Sequence, residues 1–466
     1  MTLRQNSAES RPRPTLLIVL ALAWPTMFEQ ILQVAAQYVD SGMVGSLGAA
    51  ATTAVGVTST INWLIGSSMS ALGIGFLAFI AREYGARRYE NAAKAAAQSV
   101  LAALTVGALF TVIALSLSGV IPVWMHADPD IQPVASRYFF IIYLPMMFRA
   151  ASVIFGTVLR ATGDTKTPMK CGVTMNIVNV IMNFLLIYPT RPISVLGMTF
   201  TMPGAGLGVI GAAWGTAIAF TVGGTLMTIS LWRHPEVSPR GRSLKPNWEI
   251  MRPCLKVALP AALQRFGTSF GYVAFASIIN TLGAVTTAAH SLANTAESCF
   301  YIPAFGIQAA AATLSGNAYG KKDLRYMKSI TRTLLILEPS LMAISGIVLY
   351  TCAPLMLRSL TPDAAVIALG VRVLHMVAIS EPIYGVAVIL EGIFQGVGDT
   401  KATFLFNIVG MWIVRVLGTF ITVRLLGMDL TAAWGCMIAH NCLLCILLAL
   451  RYRSGRWNPL LVGDKF

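Results

Sequence analysis

Long apolar stretches follow one another along this chain too closely for a water-soluble fold. A helix needs about 20 mostly apolar residues to cross a bilayer. About twelve such stretches can be traced, near residues 14–40, 49–80, 92–124, 134–162, 168–190, 206–232, 250–282, 286–317, 327–358, 364–397, 403–427 and 430–451. Charged residues make up 11% of the 466, and hydrophobic residues 56%, where soluble domains carry about 25% charged residues. The stretches are continuous and do not alternate like barrel strands. The expected fold class is therefore all-α integral membrane, with twelve transmembrane helices. Several runs exceed 30 residues, which predicts tilted or kinked spans.

A net charge of +15 would ordinarily suggest nucleic acid. Its distribution argues otherwise. With the N-terminus in the cytoplasm and twelve spans alternating, about 26 of the 34 Lys and Arg fall on the cytoplasmic side. They include Arg4, Arg11 and Arg13, then Arg82, Arg87, Arg88 and Lys94, and later Arg240, Arg242 and Lys245. Few stand opposite, such as Arg137 and Arg191. This positive-inside pattern makes the excess a topology signal, with no nucleic-acid partner. It predicts a multi-pass protein of the bacterial inner (plasma) membrane with both termini cytoplasmic. The basic, then apolar start is expected to be a first span and not a cleaved leader, because its apolar run is too long. Cys442 and Cys445 form a CxxC on an apolar helix without a second pair, which suits packing better than metal or redox chemistry.

The chain also repeats itself. Gly163-Asp164-Thr165-Lys166 recurs as Gly398-Asp399-Thr400-Lys401, an offset of 235. Pro25 returns as Pro260, Leu47-Gly48 as Leu282-Gly283, and Tyr84-Gly85 as Tyr319-Gly320, all at that offset. Ala212-Ala213-Trp214-Gly215 returns as Ala432-Ala433-Trp434-Gly435 at an offset of 220, so about fifteen extra residues lie in the first half, near Thr190 to Gly206. Each half then holds six spans. An even number makes them parallel repeats, with a site expected between them near the midplane. The expected units are an N-terminal six-helix bundle over 14–232, a basic cytoplasmic linker over 233–249 and a C-terminal six-helix bundle over 250–453. Pro235, Pro239 and Pro246 punctuate the linker.

The order Pro25, Asp40-x-x-Met43-Val44-Gly45, Leu47-Gly48, Leu159-Arg160-Ala161-x-Gly163-Asp164-Thr165 and Asn179-x-x-x-Asn183 resembles the multidrug and toxic compound extrusion (MATE) family. Leu259-Pro260, Glu297-Ser298, Pro303-Ala304-Phe305-Gly306 and Gly396-x-Gly398-Asp399-Thr400 agree in the second half. The resemblance implies two six-helix bundles arranged as a V. It also implies a secondary antiporter that expels organic cations and amphipathic compounds in exchange for Na⁺ or H⁺. It maps a cation-coupling site onto Asp40 of the first span, Asn179 and Asn183 of the fifth and Thr216 of the sixth. Where the NorM-like branch has a Glu eight residues past the seventh-span proline, this chain has Thr268, and where that branch has an Asp on the tenth span it has Tyr384. Glu297 on the eighth span is closer to the DinF-like branch, some members of which have Asp where Asn183 stands.

An ionisable side chain inside a bilayer costs at least about 2.5–3.5 kcal/mol, so such residues are functional candidates by default. Asp40 stands after an uncharged stretch from Ile31 and is the strongest. A carboxylate with amide and hydroxyl oxygens is also the hard ligand set that a small cation prefers, which makes Na⁺ at Asp40, Asn179 and Asn183 an option beside H⁺. Asn179 and Asn183 are four apart and share a helix face with Asn176; their alternative is interhelical hydrogen bonding. Glu297 is the second-bundle candidate acid: a proton carrier, a counter-charge for cationic cargo, or a partner for Arg265 or His290. Glu29, Glu381 and Glu391 rank lower, and Arg149, Arg265 and Arg415 are expected to pair with acids. Pro25 and Pro260 open the two halves and permit bending. The resemblance implies that bending of the first span accompanies protonation. Trp63, Met69, Phe155, Tyr272, Phe300 and Tyr301 are candidate cavity faces for a cation, or simply packing.

No enzyme is expected. His126, His234, His290, His375 and His440 are scattered, and no acid pair clusters within a span. Gly316 to Lys322 misses the phosphate-loop spacing, so no nucleotide drives the chain directly. The reading is an antiporter acting as a monomer, with a small-molecule substrate, membrane lipid around it, no cofactor and a transmembrane H⁺ or Na⁺ gradient as its energy source. The alternative is a flippase for lipid-linked saccharides, whose groove would need several cations for pyrophosphate.

Overall fold

The structure, a computed structural model, describes residues 15–125, 127–195 and 198–462. Arg4, Arg11, Arg13, Pro14 and His126 thus lie outside the described residues. The first half runs α1 (Thr15–Gly45), α2 (Ala49–Gly85), α3 (Tyr89–Leu117), the one-turn α4 (Ile121–Trp124), α5 (Gln132–Tyr143), α6 (Met146–Ala161), α7 (Lys166–Ile187) and α8 (Val209–Arg233). The second runs α9 (Trp248–Asn280), α10 (Ala284–Tyr301), α11 (Ala304–Gly320), α12 (Leu324–Leu360), α13 (Ala364–Val397), α14 (Thr400–Val409), α15 (Leu430–Arg453) and α16 (Pro459–Val462). After α14 the helix continues in wide turns over Gly410–Leu417 and Phe420–Leu425. The extra residues of the first half, placed by the sequence near Thr190 to Gly206, form an antiparallel hairpin of β1 (Pro189–Val195) and β2 (Met198–Ala205).

Two spans are broken at prolines. α5 and α6 meet at Pro145 with a bend of 50°. α10 and α11 part at Ile302 and Pro303. Pro25 and Pro260, by contrast, sit inside continuous helices. Among the described residues nine helices are long and apolar enough to cross a membrane, and ten if the bent α5–α6 pair counts as one. The two remaining runs, α9 and α10–α11, are those carrying Gln264 and Arg265, and Glu297 and Gln308. Polar side chains of that kind face protein rather than lipid. With them the helical runs number twelve, six before the linker and six after.

The two GDT turns show why the phrase is repeated. Gly163 and Gly398 both have positive φ, 90° and 89°, which glycine adopts without a side-chain clash. Each closes one helix and lets the next begin. Asp164 Oδ1 accepts the Thr167 N–H at 3.0 Å, capping α7. Asp399 instead takes Arg451 Nε at 3.0 Å.

Packing couples the halves through exchanged helix ends. Val19 and Ala23 of α1 belong to a core with Ile307, Leu314, Leu334 and Leu390 of the second half. Ile250 and Cys254 of α9 belong to the core of the first half. Thr26 Oγ1 donates across this seam to the Gly306 carbonyl at 2.7 Å. The repeated glycines make the seam close: a Cβ on Gly85 would fall 2.2 Å from the Asn317 carbonyl oxygen, and one on Gly320 would fall 1.9 Å from that of Arg82. Pro25 is buried beside Thr26 at this seam.

Candidate functional site

The C-terminal half of α1 runs beside α7. Tyr188, just past α7, ties their ends through Ser46 Oγ at 2.9 Å. One to two turns before that tie, Asp40 faces α7. Asn183 Nδ2 donates to Asp40 Oδ1 and stands 3.5 Å from Asn179 Oδ1. Asn179 Nδ2 in turn donates to Thr216 Oγ1 on α8 at 3.2 Å. The structure thus brings together all four residues to which the resemblance pointed. They form one connected network in which Asn183 donates to the carboxylate on one side and toward Asn179 on the other, and Asn179 donates on to Thr216.

Asn183 is fully buried, and its Oδ1 has no hydrogen-bond partner among the described residues. That oxygen lies against Gly215, where a Cβ would fall 2.1 Å away. Gly211 lets α8 approach α7 one turn earlier, since a Cβ there would meet the Leu186 carbonyl oxygen at 2.3 Å. An orphan carbonyl oxygen, a carboxylate, a second amide oxygen and a hydroxyl are a donor set that fits Na⁺. The same carboxylate fits a proton. Tyr138 of α5 is buried within electrostatic range of Asp40.

The other acid of the first span is accounted for. Glu29 takes Arg160 Nη1 at 3.1 Å, a bridge from α1 to α6. Among the described residues Arg149 meets no acid, contrary to expectation. Its Nη1 donates to Asn62 Oδ1, Nη2 reaches the Asn62 carbonyl at 3.3 Å, and the guanidinium lies 4.9 Å from the centre of the Phe220 ring. Met69 and Phe155 are core residues, 0% and 3% exposed, and do not form a cavity face.

In the second half Glu297 is 7% exposed. The cation whose field reaches it is Arg415, rather than Arg265 or His290. Arg415 lies 4.6 Å from the Tyr272 ring centre and 4.4 Å from that of Phe275. His290 Nδ1 instead accepts from Trp434 Nε1 at 3.2 Å. Glu381 is buried within range of Glu297. Glu391 is satisfied by three amides: Gln264 Nε2 at 2.8 Å, Gln308 Nε2 at 3.3 Å and Asn407 Nδ2. Glu338 was not singled out by sequence reasoning. It is buried on α12 against Gly385, one turn past Glu381, and both carboxyls leave Oε2 without a partner among the described residues. Glu338 heads a run with no charge before Arg358, so the rule that selected Asp40 would have found it.

With the geometry in view, the comparisons give the class. The MatE family profile matches residues 25–185 and 260–421, well over half of the chain and once in each repeat. The chain belongs to the MatE family, a family of multi-pass membrane transporters. It is 26% identical over 440 residues to the probable multidrug resistance protein NorM of Thermotoga maritima, covering 94% of this chain and 92% of that one. It is 25% identical over 446 residues to the probable multidrug resistance protein YpnP of Bacillus subtilis, covering 95% and 96%. Its fold is that of a MOP superfamily transporter from Pyrococcus furiosus, with a TM-score of 0.87 over 97% of this chain and 99% of that one, at 21% identity. The twelve-helix, two-bundle architecture is therefore the fold of this protein.

Proposed function

We propose that this protein is a secondary antiporter that exports organic cationic or amphipathic compounds by alternating access, in exchange for H⁺ or Na⁺. The observation that carries the reading is the network Thr216–Asn179–Asn183–Asp40, half-buried except for the fully buried Asn183. It has an unpartnered amide oxygen beside its only carboxylate. An exchangeable cation there would change how α1 is held against α7 and α8. Pro25 and Pro260 give the opening helix of each half a place to bend. The names of the Thermotoga and Bacillus relatives support multidrug efflux as the task.

Thr268 and Tyr384, where a NorM-like second site would have acids, support a place nearer the DinF-like branch. Glu297 with Glu381 then supplies negative charge for cationic cargo or a second proton. We further propose a monomer in the bacterial inner membrane, with bundles over 14–232 and 250–453, the linker 233–249 and both termini in the cytoplasm. The buried acids of the second half disfavour the flippase alternative, since pyrophosphate calls for several free cations while Arg149 is held by Asn62 and Arg415 stands in the field of Glu297.

The test is export of a fluorescent organic cation from vesicles under separately imposed Na⁺ and H⁺ gradients. One gradient should drive the wild type, and Asp40→Asn should lose that coupling. Equal coupling in both proteins would remove Asp40 from the mechanism.

A further inference from the structure

Arg233 ends α8 and Arg240 stands in the linker after it. Neither belongs to an ion pair among the described residues. Their neighbour Arg242 does, through Glu90 at 3.4 Å. Arg233 and Arg240 line an open cavity of about 810 Å³ with Thr228, Ile229, Trp232, His234 and Ser238. The cavity has two kinds of wall. Ile229 and Trp232 come from the last turns of an apolar span, and Ile229 is 42% exposed. Arg233, Ser238 and Arg240 come from the polar stretch at the membrane boundary.

The floor is fixed by hydrogen bonds. Ser238 Oγ donates to the Trp232 carbonyl at 2.8 Å and accepts the Arg240 N–H at 3.3 Å. His234 Nδ1 accepts the backbone N–H groups of Glu236 and Val237, both at 3.3 Å. This leaves Nε2 to donate to Thr162 Oγ1 at 3.3 Å, because that hydroxyl donates to the Leu159 carbonyl at 2.7 Å. Burial lowers the His234 pKa, so the ring is a neutral brace and not a third cation. The nearby acids are engaged elsewhere: Glu236 accepts the Tyr84 hydroxyl, and Asp164 caps α7. Two guanidinium groups therefore remain free to face whatever enters.

A cavity with an apolar wall on the membrane side and free guanidinium groups at the boundary suits an amphiphile with an anionic head. Its volume far exceeds a lone phosphate and lies in the range of organic ligand sites, about 300–1,000 Å³. We propose that it binds the phosphate-bearing headgroup of an anionic phospholipid from the adjoining leaflet. Arg233 and Arg240 grip the phosphate, and the first acyl carbons lie against Ile229 and Trp232. The positive charge of each side chain draws an anionic head, and basic pockets between membrane helices bind such heads. The inference does not depend on the coupling site.

The experiment is native mass spectrometry of the purified full chain titrated with dioleoylphosphatidylglycerol or dioleoylphosphatidylcholine. The first phosphatidylglycerol should bind more tightly than phosphatidylcholine. Arg233→Gln and Arg240→Gln should each weaken it about fivefold, the worth of one cation at a membrane surface. The double Lys variant should recover most of the loss, and Arg242→Gln should match the wild type. Four results overturn the site: equal binding of the two lipids, an equal loss in Arg242→Gln, no rescue by Lys, or displacement of the lipid by millimolar inorganic phosphate, which would make the ligand a free anion.

Discussion

Asn62 of α2 and Glu297 of α10 stand 235 residues apart, at the same place in the two repeats. Asn62 serves the cation Arg149, whereas Glu297 is itself the charge and has Glu381 and Arg415 around it. The proposed coupling site shows the reverse contrast. Asp40, Asn179 and Asn183 correspond at the same offset to Phe275, Val414 and Gly418, and Thr216 corresponds at 220 to Cys436. One scaffold thus carries a polar relay in its first half. In its second half the four corresponding residues are uncharged, the Arg415 guanidinium lies over Phe275, and the buried acids come from other positions. Duplication conserved the turns, the glycines and the seam, which are needs of the backbone. It left the buried polar groups free to diverge, because each must be satisfied only by its own neighbours.

The sharpest way to break this contrast is to neutralise one acid in each half. Asp40→Asn should abolish gradient-driven export in vesicles. Glu297→Gln should keep a gradient response while weakening competition by cationic substrates. If both variants lost coupling equally, the halves would not be specialised.

Next in size is the buried cation of each half. Arg415→Met leaves Glu297 and Glu381 facing each other and should cost about 3 kcal/mol. Arg149→Met leaves only amide and carbonyl groups unpaired and should cost about 1–2 kcal/mol. Thermal unfolding in one detergent would rank them, and the opposite order would mean that Arg415 is not the counter-charge.

A finer pair lies in the repeated Trp-Gly. Gly215 supports the orphan oxygen of Asn183, whereas its counterpart Gly435 has nothing within 4 Å of an added Cβ. Gly215→Ala should cost about 1–3 kcal/mol and impair coupled export. Gly435→Ala should be neutral or gain up to about 1 kcal/mol. The paired melting temperatures decide it.

The smallest effect concerns the joint between the halves. His234 has its pKa lowered, first by burial, while the charges of Asp164 and Glu236 oppose that shift. The unfolded ring therefore takes a proton before the folded one does. Stability from this contact is intact at neutral pH and falls as pH drops below about 6.5. Hydrogen exchange at the amides of Glu236 and Val237, corrected for intrinsic rates, should quicken between pH 7 and 5. A flat profile would remove His234 as the acceptor.

The sequence alone determined whatever a residue decides by its own nature or by its near neighbours. Apolar length set the helical runs, the repeated phrases set the two halves, and Gly163 and Gly398 set turns that need positive φ. The resemblance also led to the four residues around Asp40, because their motifs survive in order. Tertiary structure decided what depends on how distant helices register. It sent Val19 and Ala23 of α1 into the core of the other half. It gave Glu29 to Arg160, Arg149 to Asn62, and Glu391 to three amides from separate helices. Hydropathy records that a side chain must leave lipid or water. It does not record which of eleven other helices presents the partner, and only the simultaneous packing of all of them selects it.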